Sequence, residues 1–207
     1  MTSEEYYRLV QPYQDAMTQI LSRLEILNHY TDGGEDFKPV HSIKHRIKEK
    51  ESLEGKLGRL SCAASADAAR DRLMDIAGVR VICYFEKDIR RLASSLSRQS
   101  DLIVLVTKDY IANPKPNGYR SYHLIVGVPV YTLDNMEYYP VEIQFRTIAM
   151  DFWAAMEHRV CYKTLPEDEE KIRSVFKEYS EVLGQMEETF EGFHENEPGA
   201  SGTAFSA

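Results

Sequence analysis

The sequence predicts an α+β fold in which helices flank a central sheet. Both ends of the 207-residue chain carry apolar residues at helical spacing, whereas the centre holds short runs of β-branched and aromatic residues. With 43% hydrophobic residues, a chain of this length can bury one ordinary core and is too short for two full enzyme domains joined by a linker. We therefore expect one compact domain of mixed composition.

The N-terminal part is predicted to be mainly helical. Apolar residues recur at helical spacing from residue 3 to about residue 30, with Pro12 as an interruption and a candidate starting point for the helix. Turn residues at 31–34 end this helix, and a charged second helix is expected at roughly 48–60. A short third helix should lead into Asp75.

The centre is predicted to contain four strands around an irregular loop. The expected strands are 79–85, 102–106, about 121–131 and about 138–146, with a helix near 88–98 between the first two. Two prolines, two asparagines and a glycine within 109–118 exclude a helix or central strand there. The last two strands should form a hairpin across 133–135.

The C-terminal part is predicted to consist of two helices and a tail. The first helix should run from about residue 147 to 162, and the second from Pro166, a favoured first helical residue, to about 194. Residues 195–207 have the composition of a disordered tail.

Composition narrows the possible partners and the compartment. A formal charge of -8 disfavours binding of duplex nucleic acid, because such affinity comes chiefly from Lys and Arg that neutralise phosphates. Cys62, Cys83 and Cys161 lack paired spacing, which suits a reducing compartment. The stretch MTSEEYYRLV lacks the basic and apolar regions of a signal peptide, and no apolar run is long enough for a membrane span. We expect a soluble cytoplasmic protein without a membrane partner.

One basic segment, residues 45–59, departs from the acidic average. Four of its residues fall at spacings of four, four and three, which would place them on one helix face: Lys48, Ser52, Lys56 and Arg59. Such a face can bind a polyphosphate. A plain solvated surface remains the alternative, because three glutamates are interleaved with the cations.

Two acidic residues stand next to predicted strands. Asp75 precedes the buried strand at 79–85, where it can either cap a turn or bind Mg²⁺. Glu142 lies in a strand, 141–146, whose strict alternation places apolar residues on one face and polar residues on the other. Any half-exposed strand has that alternation. Together, however, two carboxylates can hold a metal that bridges phosphates, and one can accept a proton.

The segment from Lys108 to His123 combines cations and tyrosines around an Asn-Gly turn at Asn117. Cations can contact phosphates while a tyrosine ring stacks on a base. An ordinary surface loop would have a similar composition. The sequence contains no P-loop, no G-x-G-x-x-G and no kinase-type catalytic loop, so any phosphate site must use another scaffold.

These four segments, in this order, resemble the synthetase domain of RelA/SpoT-type enzymes in the stand-alone form called small alarmone synthetases. The resemblance covers about 44–163, and NGYRSYH and VEIQFRTIAMDFWAAMEH are its most diagnostic parts. It implies a nucleotidyltransferase-like mixed sheet with long terminal helices. It also implies Mg²⁺-dependent transfer of pyrophosphate from ATP to the 3′-hydroxyl of GTP or GDP in the stringent response. We accordingly divide the chain into an N-terminal helical region (1–43), a synthetase core (44–163), a C-terminal helix (164–194) and a tail (195–207).

The resemblance also assigns roles to individual residues. Arg46 and Arg80 would enclose the adenine ring of ATP, the pyrophosphate donor. The full set of residues that would bind ATP is Arg46, Lys48, Ser52, Lys56, Arg59 and Arg80. Tyr119 would stack on the guanine of GTP or GDP, the pyrophosphate acceptor. The full set of residues that would bind the acceptor is Lys108, Lys115, Asn117, Tyr119, His123 and Gln144. Asp75 and Glu142 would bind Mg²⁺, and Glu142 would take or orient the 3′-hydroxyl proton. Some relatives carry Arg at the position of Lys108. Lysine keeps the positive charge but lacks the planar guanidinium group that can donate two parallel hydrogen bonds.

Several properties beyond the reaction itself follow from the resemblance. The sequence has no His-Asp dipeptide like that of the hydrolase domain in long family members, so we expect synthesis without hydrolysis. The terminal helices resemble those through which small relatives form homotetramers, although packing within one chain is the alternative. The stretch 41–46 departs from the pattern used to bind pppGpp or single-stranded RNA, which leaves that regulation open. A catalytically inactive nucleotide- or RNA-binding regulator and an ordinary nucleotidyltransferase are the competing functions.

Overall fold

A computed structural model describes residues 1–29, 38–161 and 169–195, which form a five-stranded sheet and six helices. The strands are β1 (Val40–Ile47), β2 (Ala77–Cys83), β3 (Ile103–Asp109), β4 (Tyr122–Tyr131) and β5 (Met136–Thr147). The helices are α1 (Ser3–His29), α2 (Lys50–Arg59), α3 (Ala66–Arg72), α4 (Glu86–Ser97), α5 (Ile148–Cys161) and α6 (Glu169–Glu195). The predicted α+β class with long terminal helices is confirmed.

The sheet is mixed, with strand order β1-β2-β5-β4-β3. Only the central pair, β2 and β5, is parallel, and the other neighbouring pairs are antiparallel. In the parallel pair, Gly78 is in register with Glu142 and Arg80 with Gln144. The polar side chains of β5 therefore lie beside those of β2 at the centre of the sheet.

The two faces of β5 have separate roles. Val141, Ile143 and Phe145 are fully buried, as the alternation predicted. Helix α1 covers this side of the sheet with an apolar stripe that includes Tyr13, whose ring packs 5.2 Å from that of Tyr139. Because α1 occupies the apolar face, the polar face of β5 is left for the functional site.

Two local predictions were wrong. The sequence analysis missed β1, an edge strand paired with β2, because most of its side chains are exposed or half-buried and show no apolar alternation. The predicted boundary between residues 43 and 44 therefore falls inside a strand. Helix α1 does not begin near Pro12 but runs through it from Ser3. A proline inside a helix removes one backbone hydrogen bond. Packing of the long apolar stripe against the sheet offsets that cost.

The remaining predicted strands and helices are present, with ends shifted by a few residues, and β4 and β5 form the expected hairpin. The predicted turn at 31–34, the helix start at Pro166 and the tail after Glu195 lie outside the described residues. Among the described helices, none combines the length and apolarity needed to cross a membrane.

Candidate functional site

A cavity of about 220 Å³ opens on the polar side of the three strands β1, β2 and β5. Its lining contains five residues that the sequence analysis assigned to different parts of one site: Arg46, Asp75, Arg80, Glu142 and Gln144. The cavity thus brings together both acids predicted to bind Mg²⁺, two residues predicted to bind ATP and one residue predicted to bind GTP or GDP. They are separated by up to 98 positions in the chain, from Arg46 to Gln144.

Asp75 is held by two lysines at one edge of this cavity. Its Oδ2 accepts hydrogen bonds from Lys48 Nζ at 2.5 Å and Lys56 Nζ at 2.6 Å. Burial by itself would raise the pKa of Asp75, but the two lysines outweigh burial and the pKa lies below its ordinary value. The other carboxylate oxygen, Oδ1, is buried and has no hydrogen-bond partner. Asp75 is therefore an ionised group with one free oxygen.

Lys48 reaches Asp75 from a position that differs from the prediction. It does not lie on α2, which begins at Lys50, but in the connection after β1, where its backbone N–H donates to the carbonyl of Ile76 at 2.8 Å. The predicted four-residue face of one helix is thus wrong for Lys48. Of the other three positions, Lys56 contacts Asp75, while the side chains of Ser52 and Arg59 are exposed on α2 and do not line the cavity.

Glu142 is fixed through both of its carboxylate oxygens. Its Oε1 lies 3.2 Å from Nδ1 of His123, and its Oε2 accepts a hydrogen bond from Nε2 of Gln144 at 3.1 Å. Burial raises the pKa of Glu142, but the hydrogen bond and charge of His123, together with Gln144, bring it below the ordinary value. The charge of Asp75 acts in the opposite direction, because the two carboxylates share the cavity.

The carboxylate oxygens of Asp75 and Glu142 are suitable ligands for a magnesium ion. Within the described parts of the chain, no three His, Cys, Asp or Glu side chains converge as a metal site. Mg²⁺ is commonly held by one or two carboxylates together with substrate phosphates and water. The buried Oδ1 of Asp75 has no hydrogen-bond partner and is a hard-oxygen ligand, and Asp75 lines the same cavity as Glu142.

A hydrogen-bonded chain connects the two sides of the site. His123 Nε2 lies 3.0 Å from the hydroxyl of Tyr119, which accepts a hydrogen bond from Arg146 at 3.0 Å. Asp151 accepts hydrogen bonds from Arg146 at 2.9 Å and from Arg80 at 3.3 Å. Burial, and then the charge of Arg146, lower the pKa of Arg80, while Asp151 opposes them.

The sequence analysis did not assign Arg146 or Asp151 to the site. Arg146 was visible as the last polar position in the alternation of β5, and its side chain is only 6% exposed. A buried arginine needs a partner, so the alternation could have prompted a search for one. Asp151, in the first turn of α5, lies within the segment that carried the family resemblance, but no role was assigned to it.

The tyrosine-rich loop is stabilised by its own polar residues. Asp109 Oδ1 accepts the backbone N–H groups of residues 111 and 112, and Asn117 Oδ1 accepts that of Tyr119 at 3.2 Å. Asn117 also donates to Glu157, so its observed contacts shape the loop. The ammonium of Lys115 lies 4.8 Å from the centroid of the Tyr119 ring. Lys108, exposed on β3, is paired in register with His123.

The chain is similar to proteins of a known family. Residues 37–167 match the family described as the region found in RelA / SpoT proteins. The chain is 37% identical over 180 residues to the GTP pyrophosphokinase YwaC of Bacillus subtilis, covering 87% of this chain and 86% of that protein. It is 32% identical over 188 residues to the GTP pyrophosphokinase YjbM of the same organism, covering 91% and 88%.

The fold is also similar to those of solved structures. The small alarmone synthetase 1 from Bacillus subtilis, bound to its product pppGpp, superposes with a TM-score of 0.81 and 31% identity, covering 95% of this chain and 100% of that chain. The small alarmone synthetase 2 from the same organism has a TM-score of 0.78 and 36% identity, covering 90% and 97%.

Proposed function

As this chain belongs to the RelA/SpoT family, we propose that it is a GTP pyrophosphokinase that moves a pyrophosphate group from ATP to the 3′-hydroxyl of GTP or GDP. Its products are AMP and pppGpp or ppGpp. The observation that carries the proposal is the cavity in which Asp75 and Glu142 meet, with lysines bound to one acid and the His123–Tyr119 pair bound to the other.

The reaction exchanges one P–O bond for another. The bond between the β-phosphorus of ATP and the oxygen that bridges it to the α-phosphorus breaks, and the acceptor's 3′-oxygen bonds to that β-phosphorus. AMP departs with the bridging oxygen, and the 3′-hydroxyl loses its proton. Catalysis of such transfers is largely positioning and neutralisation of charge.

The donor side is formed by basic residues near β1, β2 and α2. Arg46 and Arg80 lie on neighbouring strands, and their planar guanidinium groups are suited to enclose the adenine ring. Lys48 and Lys56 each use one N–H on Asp75, and their remaining N–H groups would contact the phosphates. Ser52 and Arg59 are exposed on the same helix as Lys56, and we propose that they contact the outer phosphates.

Asp75 and Glu142 would hold Mg²⁺ together with substrate phosphates. When bound, the ion neutralises the charge that develops on the phosphates. Asp75 can ligate through its unpaired Oδ1 without losing its lysine contacts at Oδ2. Each oxygen of Glu142 accepts one hydrogen bond and keeps a lone pair with which it could ligate the ion.

The acceptor side is formed by the loop and the adjoining strands. Guanine would stack on Tyr119 after the exposed ammonium of Lys115 leaves the ring and turns to the phosphates. We propose that His123 and Lys108, paired across β4 and β3, face the acceptor phosphates. Gln144 and Asn117 complete this side, the first near the ribose and the second by shaping the loop.

Glu142 is the group that we propose for the acceptor's proton. Its carboxylate lies next to Asp75 and is ionised at neutral pH, because its pKa is lowered. An ionised carboxylate only accepts hydrogen bonds, so the Nδ1–H of His123, 3.2 Å away, donates to Glu142 and helps to keep it ionised.

The activity is tested by incubating the protein with ATP, GTP and Mg²⁺ and separating the nucleotides. AMP and a hyperphosphorylated guanosine, formed in equal amounts, are the expected products. A nucleotidyltransferase that releases pyrophosphate would not form AMP from ATP. A protein that binds nucleotides without forming either product would overturn the proposal.

Tyr119→Ala is expected to raise KM for GTP by roughly ten-fold, because stacking of a base on an aromatic ring contributes about 1–3 kcal/mol. KM for ATP should change by less than about two-fold. Tyr131→Ala is a matched control, since Tyr131 is 75% exposed in the hairpin far from the cavity lining. An unchanged dependence on GTP would remove Tyr119 from the acceptor site.

We further propose that α6 mediates assembly into homotetramers. A stripe of large apolar side chains is exposed along this helix at spacings of four, three, four, four and three: Val175, Tyr179, Val182, Met186, Phe190 and Phe193. Exposed stripes of this kind usually pack against another chain.

Val182→Glu combined with Phe190→Glu should therefore shift the protein to a smaller assembly in sedimentation velocity. Glu178→Ala, an exposed change on the same helix, should leave the assembly unchanged. A wild-type protein that sediments as a monomer at all concentrations would exclude the homotetramer.

A further inference from the structure

Helix α6 lies outside the matched family region of residues 37–167, yet it contacts the tyrosine-rich loop, residues 110–121 between β3 and β4, directly. Ser180, in the middle of this helix, is only 7% exposed. Its hydroxyl donates a hydrogen bond of 2.6 Å to the backbone carbonyl of Gly118. Gly118 is the residue immediately before Tyr119, so this bond acts on the peptide that carries the stacking ring.

The tyrosine-rich loop packs closely against α6 at Gly118. Gly118 has φ of +92°, a conformation that favours glycine, and a Cβ there would lie 2.9 Å from Cα of Lys177. It would also lie 3.0 Å from Cβ of Ser180. The close approach and the buried hydrogen bond fix the position of the Gly118 peptide relative to α6.

Helix α6 also contacts the residues that flank the tyrosine in space. The indole N–H of Trp153 donates to the carbonyl of Phe176 at 2.6 Å, and the Trp153 ring packs edge-on 6.5 Å from that of Tyr119. On the other side, Arg120 pairs with Glu86 at 3.4 Å and passes so close to Gly184 that a Cβ there would lie 2.7 Å from its guanidinium. The helix therefore supports Tyr119 from both of its neighbours in the chain.

We propose that α6 positions the acceptor nucleotide, with Ser180 as the positioning residue that holds Tyr119 in place before guanine binds. Holding a binding group in its bound orientation lowers the entropy lost on binding. The effect should be confined to the acceptor, because the contacts of Ser180 are with the loop and not with Arg46, Lys48 or Asp75. This inference rests on the proposed function, since it takes Tyr119 as the guanine-binding residue.

The test compares Ser180→Ala with Ser174→Ala, an exposed serine on the same helix. Loss of the hydrogen bond should raise KM for GTP by about 3- to 10-fold, while KM for ATP stays within about two-fold. Ser180→Cys, which keeps a weak donor of similar size, should give an intermediate KM for GTP. Ser174→Ala should match the wild type in both constants.

Binding can be measured without turnover, because Trp153 is the single tryptophan of the chain and lies beside Tyr119. Titration of the tryptophan emission with GTP alone should give a Kd that rises by the same factor in Ser180→Ala. Gly118→Ala, which acts on the other partner of the contact, should weaken GTP binding further. Adding Ser180→Ala to it should have little extra effect, because both changes break one contact.

The outcomes separate this inference from the proposed function. If the wild type forms no AMP and no hyperphosphorylated guanosine, the proposed function fails, whatever Ser180 does. If the wild type is active and Ser180→Ala keeps the wild-type KM and Kd for GTP, the positioning role alone is wrong. A parallel rise of KM for ATP and GTP, with a lower thermal midpoint, would assign Ser180 a purely structural role and also overturn the inference.

Discussion

Glu142→Gln is expected to lower kcat by at least about 100-fold while both nucleotides still bind. Glutamine has the size of glutamate and can keep a hydrogen bond with Gln144 or His123, so the geometry of β5 should survive. What is lost is the negative charge. Without it, the side chain can neither ligate a cation as a carboxylate nor take the 3′-hydroxyl proton.

Single-turnover kinetics at saturating ATP and GTP would measure this loss, and the emission of Trp153 would measure the affinity for GTP separately. Glu137→Gln is the matched control, because Glu137 lies on the same strand at the exposed hairpin end. A rate near that of the wild type would exclude Glu142 from the mechanism.

The pH dependence follows from the same carboxylate. Its pKa is below the ordinary value of 4.5, so Glu142 remains ionised throughout the neutral range. Activity that requires the ionised form should therefore persist below pH 4.5 and fall only as the pH drops through the lowered pKa. An acid limb near neutral pH, in protein that is still folded, would contradict this assignment.

Asp75→Asn is expected to have the second large effect, with a decrease in kcat/KM for ATP of at least about 100-fold. The neutral amide is a poorer ligand for Mg²⁺ and leaves the ammonium groups of Lys48 and Lys56 without their shared counter-charge. Lys48 is only 13% exposed, so the free energy of unfolding should also decrease.

The stability effect has a defined pH range. The pKa of Asp75 is lowered in the folded state, so its ion pairs stabilise the fold above the ordinary value of 3.8 and lose that contribution as pH falls through the lowered pKa. Denaturant unfolding at pH 7 and at pH 3 should therefore show the largest difference between wild type and variant at pH 7. Asp71→Asn, an exposed change on α3, provides the control. Equal stability and equal kcat/KM at pH 7 would refute both roles of Asp75.

Much of this molecule could be predicted from short stretches of sequence. The period-two alternation of β5 assigned Glu142 and Gln144 to the polar face and Val141 to the core, because successive side chains of a strand point to opposite faces. The composition of 109–118 excluded regular structure there, since proline and glycine are incompatible with a continuous ladder or helix. The family resemblance rested on four local segments in order, with NGYRSYH and VEIQFRTIAMDFWAAMEH as their most diagnostic parts.

The relations between distant segments required the tertiary structure. No local pattern marked β1, which is a strand because β2 offers it an unpaired edge, and the position of Lys48 beside Asp75 follows from that pairing. The link from Tyr119 through Arg146 to Asp151 and the contact of Ser180 with Gly118 likewise join elements far apart in sequence. Periodicity determines which face a side chain occupies, because it reflects the geometry of one element. Which side chains meet across elements depends on strand register and helix packing, and these are decided only when the whole core assembles.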